Sequence, residues 1–312
     1  MIQRNLGNSG LRVPAIGLGC NNFGMRIDLE ASRAVIHKAL DLGVTLFDTA
    51  DIYGNRGGSE TILGEVLGHR RKEIIIATKV GKEMDDGGTL KGASRRYILS
   101  AVEASLRRLK TDYIDLYQIH VPDPSTPIEE TLRTLDDLIR QGKVRFAGCS
   151  NFPAWMVVES LWVSKHFGLN RFVSCQDEYS LLVRHIEKEL IPAIKTYGVG
   201  LLPYFPLASG LLTDKYQRNA PPAEGTRFAF WTALVPRYCT EENWILIDRL
   251  KKFCAERQYT LLELAVSWLL ANPVVSSVIA GATKPEQVVM NVAAAGKVLS
   301  FEDLAEIDKC FL

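Results

Sequence analysis

The sequence has no CxxC pair, no continuous secretory h-region at its start, and no apolar run near the roughly 18 residues a membrane span requires. Its six cysteines, at 20, 149, 175, 239, 254 and 310, follow no repeated spacing. They read as reduced thiols of a cytoplasmic protein, not as a disulfide framework. Charge of one sign is also lacking: 37 basic side chains against 36 acidic leave a formal net charge of +1. That balance gives no general electrostatic case for nucleic acid or an anionic membrane as partner. The signatures of several enzyme classes are missing too. There is no GxxxxGK[ST] for nucleotide hydrolysis and no GxSxG for acyl transfer. The histidines His37, His69, His120, His166 and His185 show neither HxH nor HExxH spacing, so no metal site is expected. The nearest approach to a GxGxxG turn, Gly17-Leu18-Gly19-Cys20-Asn21-Asn22, has asparagine where the third glycine should stand.

What is present is an alternation that runs almost end to end. Apolar residues make up 47% and charged residues 23% of the chain, ordinary values for a globular protein. Length alone suggests two domains, but α/β barrels routinely exceed 250 residues as one. Eight β-rich runs lie at 13–19, 45–49, 73–80, 113–120, 144–150, 171–176, 199–205 and 276–282. Helical spacing fills the intervals. Between Ser94 and Lys110 the apolar residues Ile98, Ala101, Val102, Leu106 and Leu109 share one helix face. Thr126-Pro127-Ile128-Glu129 combines an N-cap, a proline at the first helical position and a capping-box glutamate, and Gly142 closes the helix that follows.

Eight such units suit either a closed barrel or a long doubly wound sheet. Because the dinucleotide turn fails, the sequence predicts a (β/α)8 TIM barrel, one domain over residues 1–312. It carries a long loop after strand seven (about Asp214 to Thr240, with Phe228, Phe230 and Trp231) and an extra C-terminal helix.

Barrel chemistry sits at the C-terminal ends of strands and in the loops beyond them. Strand two ends in Asp48, with Tyr53 five residues on; strand three carries Lys79; strand four ends in His120. Each alone has a structural explanation, but together they fall at one end of three neighbouring strands. The set makes an acid catalyst. A lysine ammonium beside a phenol stabilises the phenolate and lowers its pKa, the aspartate holds the lysine, and the histidine orients a substrate oxygen. Carbonyl reduction fits such a site, and since no side chain supplies hydride, a nicotinamide cofactor is implied.

The motifs around these residues resemble the aldo-keto reductase superfamily, particularly its bacterial aryl-alcohol-dehydrogenase-like and potassium-channel β-subunit-like branch. Gly43–Ala50 leading to Tyr53-Gly54 and Ser59-Glu60 is similar to the family's first signature. Asp112–Leu116 leading to His120 and Asp123-Pro124 resembles the second, and Gly142–Arg145 with Gly148–Phe152 a further segment. The resemblance covers nearly the whole chain. It implies Tyr53 as proton donor, Lys79 and Asp48 tuning it, and His120 orienting the substrate. It places Ser150, Asn151 and Gln176 on the nicotinamide carboxamide and Tyr204 stacked on the ring. The pyrophosphate would lie along Leu207, Ser209, Gly210, Leu212 and Lys215, with Arg227 further along the loop. A last segment, Gly281, Thr283, Lys284, Gln287 and Asn291, would hold the adenosine 2′-phosphate and adenine at a helix N-terminus, where Thr283 and Glu286 also form a potential capping box.

The expected activity is therefore NADPH-dependent reduction of aldehydes or ketones, NADPH being favoured over NADH through Lys284. Many relatives carry arginine where Thr283 stands, and a lysine offers one cationic head in place of a planar fork. Phe205 and Val121 replace polar residues common in the family, and Phe23, Phe228, Phe230 and Trp231 add further candidates for an apolar lining. The small-molecule substrate is accordingly expected to be an aromatic or apolar carbonyl compound. The alternative is a nicotinamide-binding regulatory or sensor subunit of the channel type with slow or vestigial turnover. Such subunits generally carry a long extension before the barrel, whereas this chain enters its first β pattern almost at once.

Overall fold

The computed structural model describes residues 1–311. A hairpin of β1 (Gln3–Asn5) and β2 (Arg12–Pro14) precedes eight parallel strands. These are β3 (Ile16–Gly19), β4 (Leu46–Asp48), β5 (Ile75–Val80), β6 (Ile114–Ile119), β7 (Val144–Ser150), β8 (Phe172–Gln176), β9 (Gly200–Leu201) and β10 (Val278–Gly281). From β3 to β9 each pairs with its neighbours in sequence, and β10 returns beside β3. The ring closes where the Leu201 N–H donates to the Val274 carbonyl (2.7 Å) and the Ser276 N–H to the Leu201 carbonyl (2.9 Å). The fold is the (β/α)8 barrel.

Its outer layer comprises α1 (Leu29–Asp41), α2 (Tyr53–Leu67), α3 (Arg95–Leu109), α4 (Ile128–Arg140), α5 (Ala154–Phe167) and α6 (Leu190–Tyr197). Two short turns, α7 (Arg227–Phe230) and α8 (Val235–Tyr238), lie in the long loop. They are followed by α9 (Glu241–Arg257), α10 (Leu261–Ala271), α11 (Pro285–Ala294) and the C-terminal α12 (Phe301–Lys309). No described helix is long and apolar enough to cross a membrane.

The period-two alternation of the strands places the site. Leu46, Ala77, Leu116 and Ile279 point into the barrel and form a small inner core with Leu6, Val13 and Leu202. Phe47, Ile76, Tyr117 and Ile119 belong instead to the large core between sheet and helices. Two residues beyond Leu46, Ala77 and Leu116, on the same inward face, stand Asp48, Lys79 and Gln118. A polar layer thus rests directly on an apolar floor, which the N-terminal hairpin plugs from below.

Several sequence expectations change. The run 13–19 divides at Ala15 into a hairpin strand and a barrel strand, since Val13 serves the floor. The run 199–205 keeps only two strand residues, because Pro203 has no N–H for the ladder. Helix α3 is as predicted, capped by Ser94 and stopped by Lys110 at φ 51°. At α4 the predicted cap fails. Pro127, not Thr126, takes the N-cap position, and the Thr126 hydroxyl donates to Asp123 at 2.8 Å.

The long loop is a packed element. Tyr216, Phe228 and Tyr238 are buried and stack in sequence, with ring centroids 4.4 and 6.1 Å apart. Two anchors tie it down. Arg26 donates to the Gly225 carbonyl at 2.9 Å, and Arg237 and Tyr238 both donate to the buried Glu178 just past β8. This overturns part of the expected apolar lining. Phe23 and Phe228 are fully buried in the core, and Phe230 is exposed on the outside of the loop against Arg26. Of the four aromatics, Trp231 lines the cavity.

Candidate active site

A cavity of about 1650 Å³ opens at the C-terminal ends of the strands. Tyr53 enters it from the turn after β4. The Asp51 N–H donates to the Lys79 carbonyl at 3.1 Å, which fixes that turn against β5. Gly54 to Gly57 all have left-handed φ, so regular helix begins only after them. A Cβ on Gly54 would lie 2.5 Å from the Phe23 carbonyl oxygen and the Ser59 nitrogen, with φ at +70°, so only glycine serves there. This detour sets the phenol over the barrel mouth.

Beneath it the four residues expected to converge do so. The fully buried Lys79 donates to Asp48 Oδ2 and to the Thr49 carbonyl, each at 2.8 Å. Its ammonium lies 4.9 Å from the Tyr53 ring centroid. His120 meets Tyr53 edge-to-face at 5.6 Å. Burial works against the Lys79 charge, but Asp48 and the phenol more than offset it and raise its pKa. For Tyr53 the balance differs from expectation. Burial raises the phenol pKa and the neighbouring Asp48 adds to that; Lys79 lowers it only in part. Burial, then Lys79 and Lys82, hold His120 well below the usual imidazole range, so the ring is neutral at pH 7. Its Nδ1 is buried without a hydrogen-bond partner.

Ser150, Asn151, Gln176 and Tyr204 line the same cavity. Asn151 donates to the His120 carbonyl (2.9 Å) and accepts from the Tyr204 hydroxyl (2.8 Å), so one asparagine locks the ring of Tyr204. Gln176 does something sequence reasoning missed: its amide donates to Asp48 Oδ1 at 2.8 Å, with Gln118 adding a longer contact at 3.4 Å. The signal for Gln118 was a polar residue at an inward strand position two before His120. Around the long loop, Leu207, Ser209, Gly210, Lys215 and Arg227 line the wall, whereas Leu212 is buried behind it. Burial and then Arg26 bring the Arg227 pKa down to about 10, and its Nε is buried without a partner.

On the far side Gly281, Thr283, Gln287 and Asn291 face the cavity. Lys284 is exposed at the N-cap position of α11 and is not among the lining residues. The predicted Thr283–Glu286 capping box does not form. Both the N–H and the hydroxyl of Thr283 go to Gln287 Oε1 instead, at 2.7 and 3.3 Å. Among the described residues no cluster of three or more His, Cys, Asp or Glu side chains could hold a metal.

Asp51 is the outlier among the acids. It is 1% exposed and neither carboxylate oxygen has a partner. Burial, reinforced by Glu60, pushes its pKa to about 8, and burial alone takes Asp177 to about 7. An acid whose folded pKa is raised contributes stability below its unfolded pKa and loses it as pH rises through the folded value. Asp51→Asn should therefore gain stability over the wild type as pH climbs from 5 to 9, by a few kcal/mol. Melting temperatures of both proteins at each pH check this, and a constant difference would contradict it.

The Aldo/keto reductase family profile matches residues 15–311. A protein from Oryza sativa subsp. japonica named a probable voltage-gated potassium channel subunit beta is 38% identical over 304 residues, covering 94% of this chain and 91% of that protein. The L-glyceraldehyde 3-phosphate reductase of Escherichia coli (strain K12) is 35% identical over 322 residues, covering 99% and 92%. The solved holo form of aldo-keto reductase AKR11C1 from Bacillus halodurans superposes with a TM-score of 0.82 at 34% identity, covering 99% of this chain and 96% of that one. Barrel, site geometry and sequence agree: this chain belongs to the aldo/keto reductase family.

Proposed function

We propose that the chain is an oxidoreductase that reduces aldehyde or ketone carbonyls to alcohols with NADPH, Tyr53 being the proton donor. The observation that carries this reading is the placement of Tyr53, open to the cavity, beside the buried Lys79–Asp48 pair, with the Lys79 ammonium 4.9 Å from its ring centroid. A bound nicotinamide would supply the hydride. The residues present fit such a cofactor. The cavity exceeds the few hundred to 1,000 Å³ usual for a small ligand, and the buried, unpartnered Nε of Arg227 with Lys215 nearby offers positive charge to a pyrophosphate. Ser150, Asn151 and Gln176 offer polar atoms to the carboxamide, with Tyr204 held by Asn151 as the stacking face.

The chain's own part in the reaction follows from its geometry. A neutral imidazole has one N–H, and with Nδ1 enclosed, His120 would use Nε2 to orient the carbonyl oxygen beside the phenol. As negative charge grows on that oxygen, the Tyr53 O–H bond breaks and the proton passes to it. The phenolate left behind is stabilised by the Lys79 ammonium, which Asp48 holds in place. Gln118 and Gln176 keep Asp48 hydrogen-bonded and its charge directed at Lys79. Val121, Phe205 and Trp231 on the wall suit an aromatic or apolar substrate body.

A cofactor-coupled screen of aldehydes, ketones and quinones tests the reaction. Turnover with aldehydes is the expected result; its absence alongside tight cofactor binding would favour a regulatory role, a reading that the name of the Oryza relative keeps in view. Fluorescence titration tests the cofactor. Lys284→Ala should weaken NADPH several-fold and leave NADH little changed, since an exposed lysine contributes a modest pairing to a phosphate. Equal NADPH affinity in variant and wild type would remove Lys284 from the site.

A further inference from the structure

The cations on the cavity wall fall into two separate groups. Under the long loop, Arg26, Lys215 and Arg227 feel one another's charge, burial being the larger influence on the last two. That group faces the phosphates in the proposed function. Lys82 stands apart, three residues past Lys79 in the loop after β5, at the catalytic end of the cavity. Its charge reaches the His120 ring. Among the described residues it takes part in no ion pair, unlike Arg56, which pairs with Asp86, and Arg237, which pairs with Glu178. The acid nearest to it in charge, Asp51, is buried, and burial pushes its pKa up to about 8, which leaves it little negative charge at pH 7. An ammonium without an ion pair therefore lines the same cavity as Tyr53 and His120.

We propose that Lys82 binds an anionic substituent, a carboxylate or a phosphate, on the carbonyl substrate. The substrate class is then an aldehyde with an acidic group. Its carbonyl would lie at Tyr53 and His120, its body against Val121 and Trp231, and its anion at Lys82. Lys82 is exposed at the cavity wall, so its pairing with an anion is the modest, salt-sensitive one of a surface charge. The inference rests on the reductase reading and extends it.

Two matched pairs of aldehydes test it: 4-carboxybenzaldehyde against benzaldehyde, and glyceraldehyde 3-phosphate against glyceraldehyde. In Lys82→Met the anionic-to-neutral ratio of kcat/KM should fall about two- to fivefold for at least one pair, through KM of the anionic member. Lys82→Glu should lower that ratio further, and raised salt should shrink the difference. The pair that responds identifies the anion as carboxylate or phosphate. Ratios equal to wild type for both pairs in both variants would overturn the assignment while leaving the reductase reading intact. Absence of turnover with all four aldehydes in the wild type would overturn that reading, and the Lys82 assignment with it.

Discussion

Tyr53→Phe should lower kcat for aldehyde reduction by about a thousandfold, within the range by which a positioned general acid accelerates proton transfer. The substitution removes one hydroxyl and keeps the ring that meets His120 edge-to-face, so fold and cavity shape survive. Cofactor affinity should therefore stay within about twofold of wild type, as the phenol makes none of the proposed cofactor contacts. The two readouts together separate a lost proton donor from a damaged site. Turnover within tenfold of wild type would show that another group, or water, delivers the proton.

The second large effect belongs to Lys79→Met. Here both activity and stability should suffer, because the lysine is fully buried and its loss strands Asp48 with amide donors alone. Breaking one side of a buried ion pair typically costs about 3–5 kcal/mol. Denaturant unfolding should register a loss of that size, and kcat should fall by two orders of magnitude or more as the phenolate loses its counter-charge. Adding Asp48→Asn should return much of the stability, since no unpaired charge then remains, yet none of the turnover. A double variant as unstable as Lys79→Met would mean that the lysine stem, not the charge pair, holds the barrel mouth together.

Much of this site was legible in the sequence for one physical reason. Strand side chains alternate, so Leu46 and Asp48, or Ala77 and Lys79, announce an inward face that turns from apolar to polar at the strand's end. The detour at Tyr53 was not read from the sequence: the left-handed φ and close neighbours of Gly54 that require it are seen only in space. What stayed hidden depends on barrel register. Gln176 reaches Asp48 across 128 residues of chain and Gln118 across 70, and nothing local to either glutamine reports that meeting. Phe228 read as a lining residue because a loop shows no periodicity; only its stack on Tyr216 and Tyr238 reveals a core residue. The Thr126 cap failed because Pro127 keeps an extended ψ of 133° and takes the N-cap position itself, leaving the Thr126 hydroxyl to donate to Asp123. Lys82 carried no signal in the sequence; its place on the cavity wall without an ion pair is visible only in space.

The polar layer stacked on the apolar floor has one more consequence, and it concerns refolding. Slipping a strand by a single residue exchanges its two faces. In β5 such a slip would turn Thr78 inward in place of Lys79 and remove Ala77 from the floor in the same movement. Errors of pairing therefore cannot preserve the chemistry while spoiling the packing, or the reverse. A barrel that regains activity has, by that fact, regained the alignment of β4, β5 and β6, and recovered turnover serves as a gauge of correct closure.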